Sequence, residues 1–154
     1  MTVAVLSPCA GRVLPIAACV DPVFAEEMVG PGVVIEPRPG RTTVVSPIDG
    51  KVLKVHPHAF VVLSPEGVGV LVHLGINTVR LEGAGFEVLA QQGATVAAGD
   101  PMVSWDPATI PATVDDMALS PQVPVVVMDR PKGSVTGPED QDVTSGDPLF
   151  AVVP

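Results

Sequence analysis

The chain has 154 residues and a net charge of −9 at pH 7, and this length suits a single domain, residues 1–154, with a sizeable core. The acidic balance argues against nucleic acid or an anionic membrane surface as the main partner. No apolar run approaches the ~20 residues of a membrane-spanning helix, and the N-terminus lacks the regions of a secretory signal. We therefore expect a cytoplasmic protein without direct membrane insertion.

The predicted elements are short, Val-rich segments bounded by Gly or Pro. This pattern predicts an all-β protein built as an antiparallel sandwich or barrel. Helix signals are weak: residues 86–92 could form one or two turns, and residues 111–119, with Pro111 early, are the best helix candidate. The strands are expected within residues 3–16, 32–37, 42–55, 59–63, 68–76, 94–105, 123–128 and 142–153.

Two pairs of segments repeat within the chain. Residues 7–16 (SPCAGRVLPI) align without gaps on residues 46–55 (SPIDGKVLKV), and residues 96–103 align on residues 143–150 through the pattern V-x-x-G-D-P. Each G-D-P reads as a tight turn that leads into a strand. The repeats predict two similar sheet motifs packed face to face in one domain.

All three histidines of the chain, His56, His58 and His73, lie in one largely apolar stretch. Between them the sequence SPEG, residues 64–67, is typical of a type I turn and predicts a hairpin. If Ser64 pairs with Gly67, His58 lies directly opposite His73, with Cβ atoms ~5 Å apart. A bulge at the turn would break this register.

Two facing imidazoles among aliphatic residues indicate that at least one is neutral near pH 7, since two buried cations would repel. No carboxylate adjacent to His73 could orient it in a serine–histidine relay, and nothing nearby completes a zinc site. Phosphoryl transfer fits better, because one imidazole can attack phosphorus while a second donates a hydrogen bond to its oxygens. Gly75 leaves room beside His73 for a phosphate or a partner's backbone.

Residues 67–79 (GVGVLVHLGINTV) and residues 58–60 (HAF) carry a family resemblance. They resemble the two histidine motifs of the glucose-type enzyme IIA of the bacterial phosphoenolpyruvate-dependent sugar phosphotransferase system. Residues 21–37, 46–52, 81–86 and 99–106 are also similar to that family, so that the resemblance covers essentially the whole chain. It implies a β-sandwich with a duplicated hybrid motif, also called a barrel-sandwich hybrid.

The resemblance implies that His73 accepts a phosphoryl group from phospho-HPr. His73 would pass the group to a cysteine of a sugar-specific enzyme IIB or IICB and so drive uptake of a glucose- or N-acetylglucosamine-type sugar. His58 would hydrogen-bond the phosphoryl group. No cofactor is required, although zinc could bind His58 and His73 together with a carboxylate of a partner. The resemblance gives supporting positions to Gly75, Thr78, His56 and Asn77, and a docking face for HPr and enzyme IIB to Val23, Phe24, Met28, Val29 and Phe60.

Two of these positions depart from the family pattern. His56 stands where the family often has threonine, and it either takes over a supporting hydrogen bond or faces solvent. Asn77 stands where aspartate is frequent, which removes a negative charge near the site and puts any carboxylate-dependent contact with a partner in question.

Three other classes of protein share part of this pattern. A lysostaphin-type zinc peptidase uses H-x-x-x-D and H-x-H, and the chain has His56-Pro-His58 and His73-x-x-x-Asn77, but the order is reversed and asparagine is a poor zinc ligand. A biotinyl or lipoyl carrier needs a lysine at a hairpin tip, whereas the tip here is SPEG. A regulatory module that uses the same face without chemistry would tolerate the loss of His73.

Overall fold

The computed structural model describes residues 2–154, and its regular structure is almost entirely β-strand. One α-helix, α1 (Pro22–Ala25), and three short 3-10 segments, Ile16–Ala18, Thr78–Leu81 and Pro107–Thr109, accompany the strands. Within residues 2–154, no helix has the length and apolar character needed to cross a membrane. The strands are β1 (Val3–Leu6), β2 (Gly11–Pro15), β3 (Gly32–Pro37), β4 (Thr42–Val45), β5 (Gly50–His56), β6 (Ala59–Leu63), β7 (Gly69–His73), β8 (Glu87–Val88), β9 (Thr95–Val96), β10 (Pro101–Trp105), β11 (Thr113–Val114), β12 (Met117–Ala118), β13 (Val123–Val127), β14 (Gln141–Val143) and β15 (Pro148–Val152).

The strands form one large antiparallel sheet and three smaller ones. The large sheet has eight strands in the order β14-β2-β3-β13-β7-β6-β5-β9, and the others are β4-β10-β8, β1-β15 and β11-β12. The main core contains side chains from the large sheet, such as Val72 and Val125, and from the smaller sheets, such as Val5 and Val103. The prediction of an all-β antiparallel sandwich is confirmed.

The internal repeat forms two equivalent turns. In each turn a serine hydroxyl donates to the carbonyl two residues later, and both distances are 2.7 Å. The amide of each serine donates to the aspartate carbonyl of one G-D-P turn, so that residues 7–16 combine with residues 143–150 and residues 46–55 with residues 96–103. The two turns also bond each other, from Leu6 N–H to the Pro47 carbonyl at 2.9 Å and from Val45 N–H to the Pro8 carbonyl at 3.0 Å. The duplicated motif is thus confirmed.

Neither helix candidate is helical. Residues 111–119 contain the hairpin of β11 and β12, whose turn residues Asp115 and Asp116 have φ values of 49° and 64°. Two consecutive positive φ values are typical of a type I′ hairpin turn, and the β-branched Thr113 and Val114 suit a strand better than a helix. Residues 86–92 instead contain β8, which pairs with β10.

Candidate active site

The hairpin of β6 and β7 forms as predicted, but its register differs by one residue. Gly67 N–H donates to the Ser64 carbonyl at 3.0 Å, as a type I turn requires, while Ser64 N–H donates onward to the Val68 carbonyl at 2.9 Å. Gly67 has a φ of 90° and is therefore the extra residue of a bulge that follows the turn. Ala59, not His58, lies opposite His73, so the predicted direct pairing is wrong.

The three histidine rings nevertheless lie side by side. His58 occupies the turn between β5 and β6, where His56 pairs with Ala59. The ring centroids of His58 and His73 are 5.3 Å apart in an edge-on arrangement, and those of His56 and His58 are 5.7 Å apart with nearly parallel planes. The ring of Phe24, from α1, lies against His73 with a centroid distance of 5.4 Å. The short turn and the end of β7 thus bring the predicted histidines together.

The His73 ring is held by the loop that follows it. Its Nδ1 contacts the carbonyl of Gly75, and because a carbonyl oxygen only accepts, Nδ1 is assigned the proton. Nε2 then keeps its lone pair. The hydroxyl of the buried Thr78 donates to the Leu74 carbonyl at 2.6 Å, which closes the loop around Gly75.

Gly75 and Thr78 shape the loop that follows His73, while their supporting role in the site stays a prediction. Gly75 has a φ of 84°, and a Cβ at this position would lie 2.4 Å from Thr78 Cγ2 and 2.9 Å from the Ser120 carbonyl oxygen. Asn77 has a φ of 62°, and its side-chain Nδ2 donates to the Ala118 carbonyl at 2.8 Å. The asparagine therefore ties the histidine loop to β12 with a donor that an aspartate would lack.

Burial keeps both site histidines neutral. It lowers the pKa of His58 from 6.5 to about 4, with smaller contributions from His73 and His56. Burial also lowers the pKa of His73, while the Gly75 carbonyl and the charge of Asp21 act in the opposite direction. Both imidazoles are thus neutral near pH 7 and can each offer a lone pair.

Asp21 is a site residue that the sequence reasoning missed, since a carboxylate was expected to be absent beside His73. Its Oδ1 accepts from Val23 N–H at 2.9 Å and so caps α1, the helix that carries Phe24. The sequence Asp-Pro at residues 21–22 is a recognisable helix start, and this signal could have located α1. Nothing in the sequence indicates that this helix packs against His73.

A buried glutamine anchors the segment that leads to α1. The Gln122 side chain accepts from Val20 N–H at 2.8 Å and donates to the Ala18 carbonyl at 3.2 Å and to Glu36 Oε1 at 2.8 Å. Gln122 is 4% exposed. It therefore fixes the approach of residues 18–20, and with them Asp21, to β13.

The predicted docking face is only partly accessible. Val23 and Met28 are exposed, and Val29 is half-buried. Phe24 is only 7% exposed and therefore offers little surface to a partner. Phe60 is 1% exposed and belongs to the main core, so its assignment to the docking face is wrong. Strand pairing with Val72 places its side chain inward. Two further exposed apolar side chains of the region, which sequence reasoning missed, are Val20 and Val79.

No group of three or more His, Cys, Asp or Glu side chains among residues 2–154 is arranged to hold a metal ion. His58 and His73 are close enough to form two ligands, so a zinc ion there would need further ligands from another molecule. Zinc binding at His58 and His73 with a partner's carboxylate stays a prediction.

Comparisons with known proteins agree with the fold and identify a family. Residues 3–132 match the family model described as phosphoenolpyruvate-dependent sugar phosphotransferase system, EIIA 1. The glucose-specific EIIA component of Oceanobacillus iheyensis is 37% identical over 127 residues, which are 81% of this chain and 73% of that protein. The corresponding component of Staphylococcus epidermidis is 43% identical over 104 residues, 66% of this chain and 61% of that protein.

A solved structure is similar over nearly its whole length. The glucose permease IIA from Mycoplasma capricolum superposes with a TM-score of 0.84 at 31% identity, over 98% of this chain and 96% of that chain. The fold and these matches define a component of a phosphotransferase system. The chain belongs to the EIIA 1 family of the phosphoenolpyruvate-dependent sugar phosphotransferase system. The peptidase alternative is not favoured.

Proposed function

We propose that the protein is a cytoplasmic phosphocarrier whose His73 Nε2 accepts a phosphoryl group from phospho-HPr and passes it to the cysteine of a sugar-specific enzyme IIB. The contact of His73 Nδ1 with the Gly75 carbonyl carries this proposal. It assigns the proton to Nδ1 and leaves the Nε2 lone pair as the nucleophile. A glucose-type sugar is supported by the names of the relatives, which are glucose-specific components.

Each transfer step conserves atoms and electrons. The Nε2 lone pair of His73 forms a bond to phosphorus as the phosphorus–nitrogen bond to the HPr histidine breaks, and the HPr ring keeps that electron pair. In the second step the enzyme IIB thiolate forms a bond to the same phosphorus. The phosphorus–nitrogen bond to His73 breaks, and Nε2 keeps that electron pair. Such transfer requires little more than positioning and charge stabilisation.

His58 supplies the stabilisation in this proposal. Its ring lies 5.3 Å from that of His73, centroid to centroid, and its low pKa makes it a neutral ring with one N–H donor. That donor can hydrogen-bond an oxygen of the phosphoryl group on His73. The mechanism needs no cofactor, and zinc at His58 and His73 with a partner's carboxylate is a separate proposal that a zinc titration with each partner tests.

The partner surface in this proposal is the exposed apolar area beside the histidines. Val23 and Met28 are exposed on or just after α1, and Val29 is half-buried there. The contact of Phe24 with His73 connects this area to the reactive ring. HPr and enzyme IIB would occupy the same area in turn, because both must reach the one Nε2 atom.

The test is a transfer assay read by intact mass. The protein is mixed with phosphoenolpyruvate, enzyme I and HPr from its own source, and the wild type is compared with His73→Ala, His58→Ala and the exposed control Lys51→Ala. We expect one acid-labile phosphoryl group on the wild type and on Lys51→Ala, and none on His73→Ala. His58→Ala should be phosphorylated but should transfer slowly to enzyme IIB. An unmodified wild type, or a modified His73→Ala, would overturn the proposal.

A further inference from the structure

The His58 ring is enclosed between two other imidazoles. On one side His73 meets it edge-on, with planes at 67°. On the other side His56 stacks on it, with a centroid distance of 5.7 Å and an interplanar angle of 19°. This distance lies within the 4.5–7 Å range of offset-stacked aromatic pairs. His56 is itself exposed at the end of β5, so its ring covers the solvent side of His58.

Within the described part of the chain, no hydrogen bond fixes the plane of the His58 ring. Neither ring nitrogen of His58 has a hydrogen-bond partner among residues 2–154, in contrast to Nδ1 of His73, which contacts the Gly75 carbonyl. The backbone of His58 is held, since its carbonyl accepts from Leu74 N–H at 2.7 Å. The torsion that rotates the ring is broad for histidine. A ring that must aim one nitrogen at a phosphoryl oxygen therefore depends on its stacking neighbours.

We propose that His56 is a positioning residue for phosphoryl transfer, whose ring stacks on His58 and holds the plane of that ring against His73. This inference rests on the proposed function and adds a role that is specific to a ring at position 56. His56 would act through the face of its imidazole and not through a hydrogen bond. The role predicts that another flat ring can replace His56 and that a polar chain without a ring cannot.

Three variants separate these properties. His56→Phe keeps a ring and loses both nitrogens, His56→Gln keeps a donor and an acceptor without a ring, and His56→Ala keeps neither. The rate of transfer from the phosphorylated protein to a glucose-type enzyme IIB is measured against enzyme IIB concentration, with Lys51→Ala as the control. We expect kcat to fall about two- to tenfold in His56→Ala and His56→Gln, the size of an aromatic pair, with KM unchanged. His56→Phe should retain at least half of the wild-type kcat.

Each alternative gives a different pattern. Recovery by glutamine but not by phenylalanine would assign His56 a hydrogen bond and overturn the proposal. If all three variants transferred at the wild-type rate, His56 would only face solvent. A change in KM alone would place His56 in partner docking. Either result would also overturn the proposal.

A second measurement reads the stacking without any transfer. Proton NMR of the unphosphorylated protein should show the ring protons of His58 shifted upfield by the neighbouring ring in the wild type and in His56→Phe. The shift should be lost in His56→Ala and His56→Gln. If the wild type is not phosphorylated in the mass assay, the proposed function fails, and this spectrum still decides whether His56 holds the ring. Unchanged His58 shifts in His56→Ala would refute the stacking itself.

Discussion

Replacing Gly75 by alanine tests how the loop holds the reactive ring. A Cβ at Gly75 would lie 2.4 Å from Thr78 Cγ2 and 2.9 Å from the Ser120 carbonyl oxygen. The backbone φ of 84° costs an alanine about 1–2 kcal/mol, and forcing a methyl group into filled space costs about 1–3 kcal/mol more. We therefore expect Gly75→Ala to lower the free energy of unfolding by about 2–5 kcal/mol.

Gly67→Ala is the matched control for this change. Gly67 has a φ of 90°, close to that of Gly75, but a Cβ there would have no atom within 4 Å. Gly67→Ala should therefore lower the free energy of unfolding only by the backbone cost of about 1–2 kcal/mol. Urea unfolding of both variants and the wild type, analysed with a common m-value, gives the difference.

The two variants should also differ in function. Relief of the clash moves the Gly75 carbonyl, which accepts from His73 Nδ1, so the tautomer of His73 should become mixed in Gly75→Ala. Nitrogen-15 NMR of the ring reports the tautomer, and the rate of phosphorylation by phospho-HPr should fall with it. Gly67→Ala should change neither. Equal losses of stability in the two variants, with an unchanged His73 tautomer in both, would refute the argument that this loop holds the ring.

Four further predictions concern the charges and the supports of the site. The pKa of His58, about 4 in the folded protein against 6.5 ordinarily, should rise in His73→Ala because a repelling neighbour is removed, as NMR titration will show. As pH drops, His58 is protonated in the unfolded chain before it is protonated in the folded protein. The free energy of unfolding should therefore fall between pH 6.5 and about 4. In His58→Gln, the free energy of unfolding should fall less steeply in parallel urea titrations. Gln122→Leu removes three part-buried hydrogen bonds and should cost about 1–3 kcal/mol in thermal or urea unfolding. An unchanged stability would refute its anchoring role. Asn77→Asp loses the donor to Ala118 and should cost about 1 kcal/mol, whereas Asn77→Gly, measured alongside it, separates this loss from the effect of the added charge.

The strand pattern and the histidine cluster could be predicted from sequence because both depend on local rules. Turn residues and Val-rich runs set the strands, and the repeats of S-P and G-D-P set the duplication. The register of the histidine hairpin could not be predicted, because SPEG is compatible with a plain type I turn and with one followed by a bulge at Gly67. In both arrangements Gly67 is the fourth residue of the turn. They differ in the bond from Ser64 N–H to the Val68 carbonyl, which forms only when the bulge is present.

Two of the remaining errors concern contacts between distant segments, and a third concerns a local turn. The burial of Phe60 depends on its pairing with Val72 and on the sheets that cover it, and an Ala-Phe-Val run does not show which side faces the core. The charge of Asp21 acts on His73 because Asp21 caps α1 and because Gln122 holds the segment before it. Val20 and Ala18, which Gln122 binds, are about a hundred residues away from it in sequence. Residues 111–119 resemble a helix start, but their two central aspartates adopt positive φ values, and short-range propensity does not distinguish these alternatives.

The pairing of β1 with β15 has a consequence for synthesis on the ribosome. Val3 lies opposite Val152 and Val5 opposite Phe150, so β1 is synthesised well over a hundred residues before its partner strand. The nascent chain cannot satisfy the β1 backbone until residues 148–152 have left the exit tunnel, and contacts of such long sequence separation form slowly. The folding of this unit is therefore completed only after residues 148–152 have emerged, and the backbone of β1 lacks its strand partner until then.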